Sequence, residues 1–294
     1  MFKSGFIAIV GNTNVGKSTL INALVQKKIS ITSSKAQTTR SPVIGICHDP
    51  VYQLIFIDTP GIINIKEKYL FNKRIKDMTL QSLRGTDIIL FVVDRPYSNQ
   101  DKNILKIIRK NDTKVILIIN KIDLLKSKIA IDKIILSYMD KLFCHAVIPL
   151  SSVTIQNLDI LKDNILACLK EGPLYYPKHI ITNTTNQKFM SEIIREKILY
   201  YTHQEIPHAC HVIIENISPR TDFSLMQVSA LILTETINQK KILIGLKGRK
   251  LKKIGTEARK DINKILDIQI HLNLWIKVER NWRSKNDILK SYIT

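Results

Sequence analysis

An apolar run, "FIAIV" at residues 6–10, passes directly into "GNTNVGKSTLIN" at residues 11–22, and no other stretch limits the fold of this chain as tightly. Gly11, Gly16, Lys17 and Ser18 satisfy G-x-x-x-x-G-K-[ST] at every fixed position, between a strand-like run and a helical pattern. Glycine lets successive backbone N–H groups turn inward, and the helix beginning near Lys17 aims its positive end at the same point. Such a loop holds phosphate. Gly11, Asn12, Thr13, Asn14, Val15 and Gly16 are placed to wrap it, with Thr19 one residue beyond the motif; Lys17 reaches the β- and γ-phosphates, and the Ser18 hydroxyl is a ligand for Mg²⁺.

Apolar runs at 6–10, 54–57, 88–93, 115–119 and 146–150 alternate with amphipathic stretches, which predicts an α/β fold with a mostly parallel sheet. Ligands bind such sheets at the carboxyl ends of the strands, and two further motifs fall there. In "DTPG", residues 58–61, Asp58 can hold Mg²⁺ through water, the Gly61 N–H can bond a γ-phosphate oxygen that exists only before hydrolysis, and Thr59, Pro60 and the following Ile62 are counted with the nucleotide-binding residues. In "NKID", residues 120–123, Asp123 can accept two N–H groups of guanine, a pairing adenine does not offer. Asn120 would brace the neighbouring loops, and the Lys121 stem would cover the base. The ligand these motifs predict is GTP rather than ATP. At Ile62, where GTPases of the Ras type carry a water-orienting glutamine, an isoleucine cannot orient water, and slow intrinsic hydrolysis is the expectation.

With 294 residues the chain is long enough for two domains. The breaker cluster "EGPLYYPK" at 171–178 marks the division: a first domain over 1–171, a linker over 172–182 and a second domain over 183–294. Past the linker the pattern predicts a helix over 187–202, strands over 210–217, 228–236 and 240–244, a basic helix over 249–264 and a strand over 268–278. Four dispersed cysteines argue for reduced thiols, and His203, His208 and His211 lack the partners and spacing of a metal site. The apolar runs are too short to span a bilayer, and the first ten residues read as a strand, not a leader, so a soluble cytosolic chain is expected.

Forty-five Lys and Arg against 25 Asp and Glu give a net charge of +20, which points to a polyanion: nucleic acid first, an acidic membrane surface second. The charge is densest over 240–264, with ten basic and two acidic residues. Gly245-Leu246-Lys247-Gly248 lies within it as a G-x-x-G, a turn that lets backbone lie against nucleotides. Lys247, Arg249, Lys250, Lys252 and Lys253 would meet phosphates. Ile244, Leu251 and Ile254 could wall a groove, although Leu251, Ile254, Ala258 and Ile262 also form the buried stripe of an amphipathic helix.

These residues resemble the translation-factor-related GTPases and, within them, the Era family. The resemblance rests on "GFIAIVGNTNVGKSTLIN", "KISITSSKAQTTR" at 28–40, "SEIIREK" at 191–197 and "IGLKGRKLKKIGTEARKDI", and it runs from residue 5 to about 283. It implies a P-loop GTPase domain followed by a smaller α+β domain of the KH type. By that likeness Thr39 completes the Mg²⁺ shell, with Thr38 as the alternative, in a switch I over about 28–42; switch II covers about 59–76. Ser151 and Ser152 fall at the last guanine-contacting loop, where the family usually has Ser-Ala, and the glycine expected later in that loop is missing from "SSVTIQN". Some similar proteins with a hydrophobic residue at the place of Ile62 use a K⁺ ion held in part by an asparagine at the position of Asn14; a loop-bracing role is the other reading of Asn14. The likeness further implies GTP and GDP as ligands, the 3′ end of 16S rRNA and the 30S subunit as partners, a monomer, and a cytoplasmic protein with a peripheral fraction at the inner membrane. A non-catalytic RNA-binding scaffold stabilised by GTP, or a related tRNA-modification GTPase, would account for parts of the same pattern.

Overall fold

The structure is a computed structural model, and it describes residues 1–294 apart from 34, 36–37, 62–69, 203–205, 220–224 and 286–294. Its contacts divide the chain into two compact units. One comprises Met1–Ser30, Ala36–Lys68 and Asn72–Asn183; the other takes Thr184–Thr294 together with Ile31–Lys35 and Tyr69–Phe71.

The first unit runs β1 (Lys3–Gly11), α1 (Lys17–Val25), β2 (Val43–His48), β3 (Tyr52–Asp58), α2 (Leu70–Ser82), β4 (Ile88–Val93), α3 (Lys102–Arg109), β5 (Lys114–Ile119), α4 (Lys128–Met139), β6 (Ala146–Pro149) and α5 (Leu158–Cys168). The strands form one sheet in the order β2-β3-β1-β4-β5-β6. All neighbours are parallel except β2 and β3. The strands read as unbroken apolar runs because helices cover both faces of the sheet. Alternate residues divide between two cores: Ile7, Ile9, Phe56, Leu90 and Ile118 pack with Leu20 and Leu24 of α1 and Leu161 of α5, while Ala8, Val10, Phe91 and Leu117 pack with Ile104 of α3 and Tyr138 of α4. Since β1 lies between β3 and β4, the direction of winding reverses beside it, and the loop after β1 opens at the crevice where such sheets take ligands. Strand β2 was not among the expected elements: Gly45, Cys47 and His48 break its apolar alternation.

Residues 172–183 hold no helix or long strand, as their breakers imply. They are nevertheless strapped to the sheet. Gln53 accepts from the N–H groups of Tyr175 and Tyr176 at 2.9 and 3.0 Å, Phe6 and Tyr175 meet edge to face with centroids 4.9 Å apart, and the Ile46 N–H donates to the Ile181 carbonyl at 2.9 Å.

The second unit runs α6 (Asn186–Tyr201), α7 (Ile206–Ala209), β7 (His211–Pro219), β8 (Met226–Thr234), α8 (Ile237–Ile244), α9 (Arg249–Leu266) and β9 (Ile270–Val278). Its sheet has the order β7-β8-β9, with β7 and β8 antiparallel and β8 and β9 parallel, joined through α8 and α9. The apolar stripe of α9, Ile254, Ala258 and Ile262, is fully buried against Ile193 and Ile198 of α6 and the inner face of the sheet. Ile31 belongs to this core. One expected element is corrected: residues 240–244 are the end of helix α8 and not a strand. The run "KKILI" is too short to show its period, whereas Thr236 and Gln239 form a capping box that starts a helix.

Candidate nucleotide site and nucleic-acid groove

The turn after β1 is fixed by close backbone approach. Gly16 caps α1 with a φ of 96° and no side-chain bond, and a Cβ there would lie 2.3 Å from the Asn120 amide nitrogen. Lys17 is 6% exposed and donates to the carbonyls of Gly11 at 3.1 Å and Asn12 at 2.6 Å. Burial lowers its pKa to about 8, so the ammonium is short of counter-charge where a phosphate would supply it. Gly61 follows close by: a Cβ on it would stand 3.3 Å from Lys17 Nζ.

Three hydroxyls converge on one oxygen of Asp58. Oδ2 accepts from Ser18 at 2.7 Å, Ser30 at 3.0 Å and Thr39 at 3.2 Å, and Ser18 and Thr39 are 2.8 Å apart. Asp58 is fully buried, and its Oδ1 has no hydrogen-bond partner among the described residues. Burial raises the Asp58 pKa, opposed by Lys17. A buried carboxylate beside three hydroxyls is a hard, all-oxygen donor set that fits Mg²⁺. Ser30 was not foreseen. Thr59 turns away from this cluster, donating to the Ile9 carbonyl at 2.7 Å, and so secures the start of the turn. Ile62 and the following seven residues lie outside the described residues.

Asn120 braces three segments. Its N–H donates to Val93 at 2.8 Å, its amide nitrogen to the Val15 carbonyl at 2.9 Å, and its amide oxygen accepts both the N–H and the hydroxyl of Ser152 at 3.1 and 2.9 Å. The Ser152 N–H, in the loop expected to contact guanine, is therefore turned to Asn120. The loop around it closes without the missing glycine: Ser151 Oγ accepts from Thr154 N–H at 3.1 Å, and Ile155 and Asn157 both take a φ of 62°. Asparagine tolerates that conformation, but a β-branched isoleucine is strained in it. Lys121 donates to the Asn14 carbonyl and pairs with Asp94 at 2.6 Å. Asp123 is exposed in the turn Ile122–Leu124. Asp94 escaped the sequence analysis, although its place directly after β4 puts it at the carboxyl edge that the other motifs occupy.

In the second unit the G-x-x-G joins α8 to α9. Gly245 takes a φ of 69° and a ψ of −177°, Lys247 and Gly248 are left-handed, and a Cβ on Gly245 would lie 2.7 Å from that of Lys250. Beside this turn lies an open groove of about 470 Å³ between α9 and the edge strand β9. Gly248, Leu251, Lys252, Gly255, Thr256 and Arg259 line one side, and His271, Leu272 and Leu274 the other. Of the expected groove residues, Ile254 proves to be core at 0% exposure, and Ile244 does not line it. Lys253 points its ammonium at the Tyr201 ring, 4.8 Å from the centroid. The residues that sequence reasoning missed, Gly255, Thr256, Arg259 and those of β9, carry no motif of their own. Their shared signal is the helical i, i+3, i+4 spacing of 252, 255, 256 and 259 on the face that flanks the apolar stripe. His211 stacks on Trp282 with centroids 5.4 Å apart.

Comparison with known proteins finds a match for each of two regions of the chain. Residues 6–121 match a family model described as 50S ribosome-binding GTPase, and residues 205–283 match that of the KH domain. GTPase Era of Clostridioides difficile (strain 630) is 42% identical over 294 residues, covering 99% of this chain and 98% of the relative. GTPase Era of Thermoanaerobacter sp. (strain X514) is 39% identical over 290 residues, 98% and 95% of the two chains. Among solved structures, Era in complex with MgGDPNP and nucleotides 1506–1542 of 16S ribosomal RNA superposes with a TM-score of 0.96 at 35% identity. A Tyr-to-Ala variant of Aquifex aeolicus Era bound to GDP·AlF4⁻ gives 0.93 at 35% identity, and each covers 99% of both chains. A glycine-bounded strand–loop–helix turn with a buried lysine, a carboxylate ringed by three hydroxyls and a KH domain in one chain, matched end to end by these relatives, place the protein in the Era family of GTPases, enzymes that hydrolyse GTP to GDP and phosphate.

Proposed function

We propose that the protein is a GTP-driven switch that binds small-subunit ribosomal RNA near its 3′ end and assists assembly of the 30S subunit. The observation that carries this reading is the full-length likeness to Era solved with MgGDPNP and nucleotides 1506–1542 of 16S rRNA. In this reading the N–H groups of residues 11–19 hold the phosphates with Lys17, Gly61 contacts the γ-phosphate, and Asp123 selects guanine beside Lys121, with Ser151 and Ser152 closing the pocket through Asn120. Ser18, Thr39 and Asp58 hold Mg²⁺, which when bound offsets negative charge on the phosphates. Asn14 contributes to a K⁺ site that stands in for the side chain Ile62 cannot supply. Residues 1–171 serve as the GTPase domain, 172–182 as the connection and 183–294 as the KH domain. RNA lies along Gly245–Gly248 with Lys247, Arg249, Lys250 and Lys252 at its phosphates and bases in the groove between α9 and β9. The protein acts as a cytoplasmic monomer with a peripheral membrane fraction.

The test is binding of an RNA with the sequence of nucleotides 1506–1542, against a scrambled control, in the presence of a non-hydrolysable GTP analogue or of GDP. The proposal expects a preference for the true sequence and a difference between nucleotides. Equal affinity for both RNAs would remove the proposed target while leaving the GTPase in place. Hydrolysis at equal ionic strength in KCl and NaCl tests the ion: a single rate in both salts returns Asn14 to a loop-bracing role.

A further inference from the structure

Asp101, in the loop after β4, is 1% exposed, and its two carboxylate oxygens have different partners. Oδ2 accepts from the Ser98 N–H at 2.8 Å, the Ser98 hydroxyl at 3.0 Å and Arg95 Nη1 at 3.2 Å. With the reciprocal bonds of Ser98 this is a capping box for the turn Asn99–Asp101, which leads into α3. Helix capping therefore accounts for Oδ2. It does not account for Oδ1, which accepts from the side-chain amide of Asn12, 89 residues away in the phosphate loop. Asn12 is 8% exposed, and its own carbonyl receives the Lys17 ammonium at 2.6 Å.

We propose that Asp101 is a positioning residue for the phosphate loop. Through Asn12 it fixes the turn whose carbonyl orients Lys17, and Arg95 and Ser98 hold the carboxylate in place. The same loop grips the turn a second time, since Asp94 pairs with Lys121 and Lys121 donates to the Asn14 carbonyl. The segment after β4 thus touches no nucleotide-binding motif in sequence and yet clamps the phosphate loop at residues 12 and 14. Small misplacements of a catalytic cation cost large factors in rate, so this clamp bears on turnover as well as on retention of nucleotide.

The experiment compares Asn12→Ala, Asp101→Ala, the double variant and Ser98→Ala in the full chain. Release of fluorescent GDP, kcat and KM for GTP, and the melting midpoint are read for each. Asn12→Ala and Asp101→Ala should each speed GDP release and lower kcat, by about tenfold, and the double variant should be no worse than either, because both remove one bond. Ser98→Ala removes only the hydroxyl bond to Oδ2 and keeps the Ser98 N–H and Arg95 on it, so it should lower the midpoint while changing the kinetic constants less than Asp101→Ala does. If the two single effects multiply, or if Asp101→Ala changes only the midpoint, Asp101 is a helix cap and nothing more. Should Asp101→Ala fail to fold, Asn12→Ala leaves the cap intact and decides alone: unchanged constants overturn the proposal. A wild-type chain that bound no GDP would instead count against the nucleotide site itself.

Discussion

The Lys17 ammonium is held to a pKa of about 8 by burial, and a phosphate would restore its charge. Nucleotide binding should therefore take up a proton above about pH 8, and affinity should fall as pH rises through that value. Because the folded pKa lies below that of an unfolded lysine, the same group makes the nucleotide-free protein more stable as pH climbs from about 8 toward 10.5, not less. Calorimetry of GDP binding in two buffers of different ionisation enthalpy checks the first statement: proton uptake should approach one at about pH 9 and vanish near pH 7. At the base, Asp123→Asn should weaken GTP binding and shift preference toward xanthosine triphosphate, whose carbonyl suits an amide donor; unaltered GTP affinity in that variant would remove Asp123 from the guanine pocket. Ile155, strained at a φ of 62° and 66% exposed, offers a stability test. Ile155→Gly should relieve about 1 to 2 kcal/mol of strain against a smaller entropic cost, and a first unit that melts no higher than the parent would contradict it.

At the scale of elements, α8, the G-x-x-G turn and α9 act together. Replacing Gly245 and Gly248 with Asp should abolish close backbone approach and set negative charge against phosphate, so RNA binding falls by a large factor while intrinsic GTP hydrolysis holds. Neighbouring lysines should separate. Lys252 lines the groove, so Lys252→Ala should flatten the salt dependence of RNA binding by about one unit of slope. Lys253 rests over Tyr201, so Lys253→Ala should cost about 0.5 to 1 kcal/mol of stability and less of the slope. Equal slopes for the two would contradict this geometry. These elements also show what was legible beforehand. The phosphate loop, "DTPG" and "NKID" were readable because each packs its chemistry into a few consecutive residues at the end of an apolar strand. Helix α8 was misread because five apolar-rich residues have no measurable period, and the decisive signal, the Thr236–Gln239 capping box, lay upstream. Ser30, Asp94, Asp101 and the β9 side of the groove were invisible for a different reason: each meets its partners only through tertiary folding, and no local spacing records that.

For the whole molecule, the informative residues are two chain neighbours. Ser30 donates to Asp58 in the first unit, and Ile31, the next residue, is 2% exposed in the core of the second. Thr32 N–H donates to Glu196 at 2.9 Å, and Phe71, within the stretch expected as switch II, meets the Trp282 ring with centroids 5.5 Å apart. Ile31→Ala should remove about 2 to 5 kcal/mol from the second unit and shrink the difference in RNA affinity between the GTP-analogue and GDP states. An unchanged difference, with the expected loss of stability, would mean that nucleotide state reaches the RNA by another route. The strap at 172–183 has a consequence of its own. Glycine, prolines and an exposed Lys178 make it the place where composition invites a protease to cut, but cleavage needs a segment that can peel away and enter an active site in extended form. Bonded to Gln53 and to the edge strand β2, this one cannot peel without first breaking those bonds, so mild trypsin should cut it slowly and the two halves of the chain should resist separation at the very point where the sequence looks most fragile.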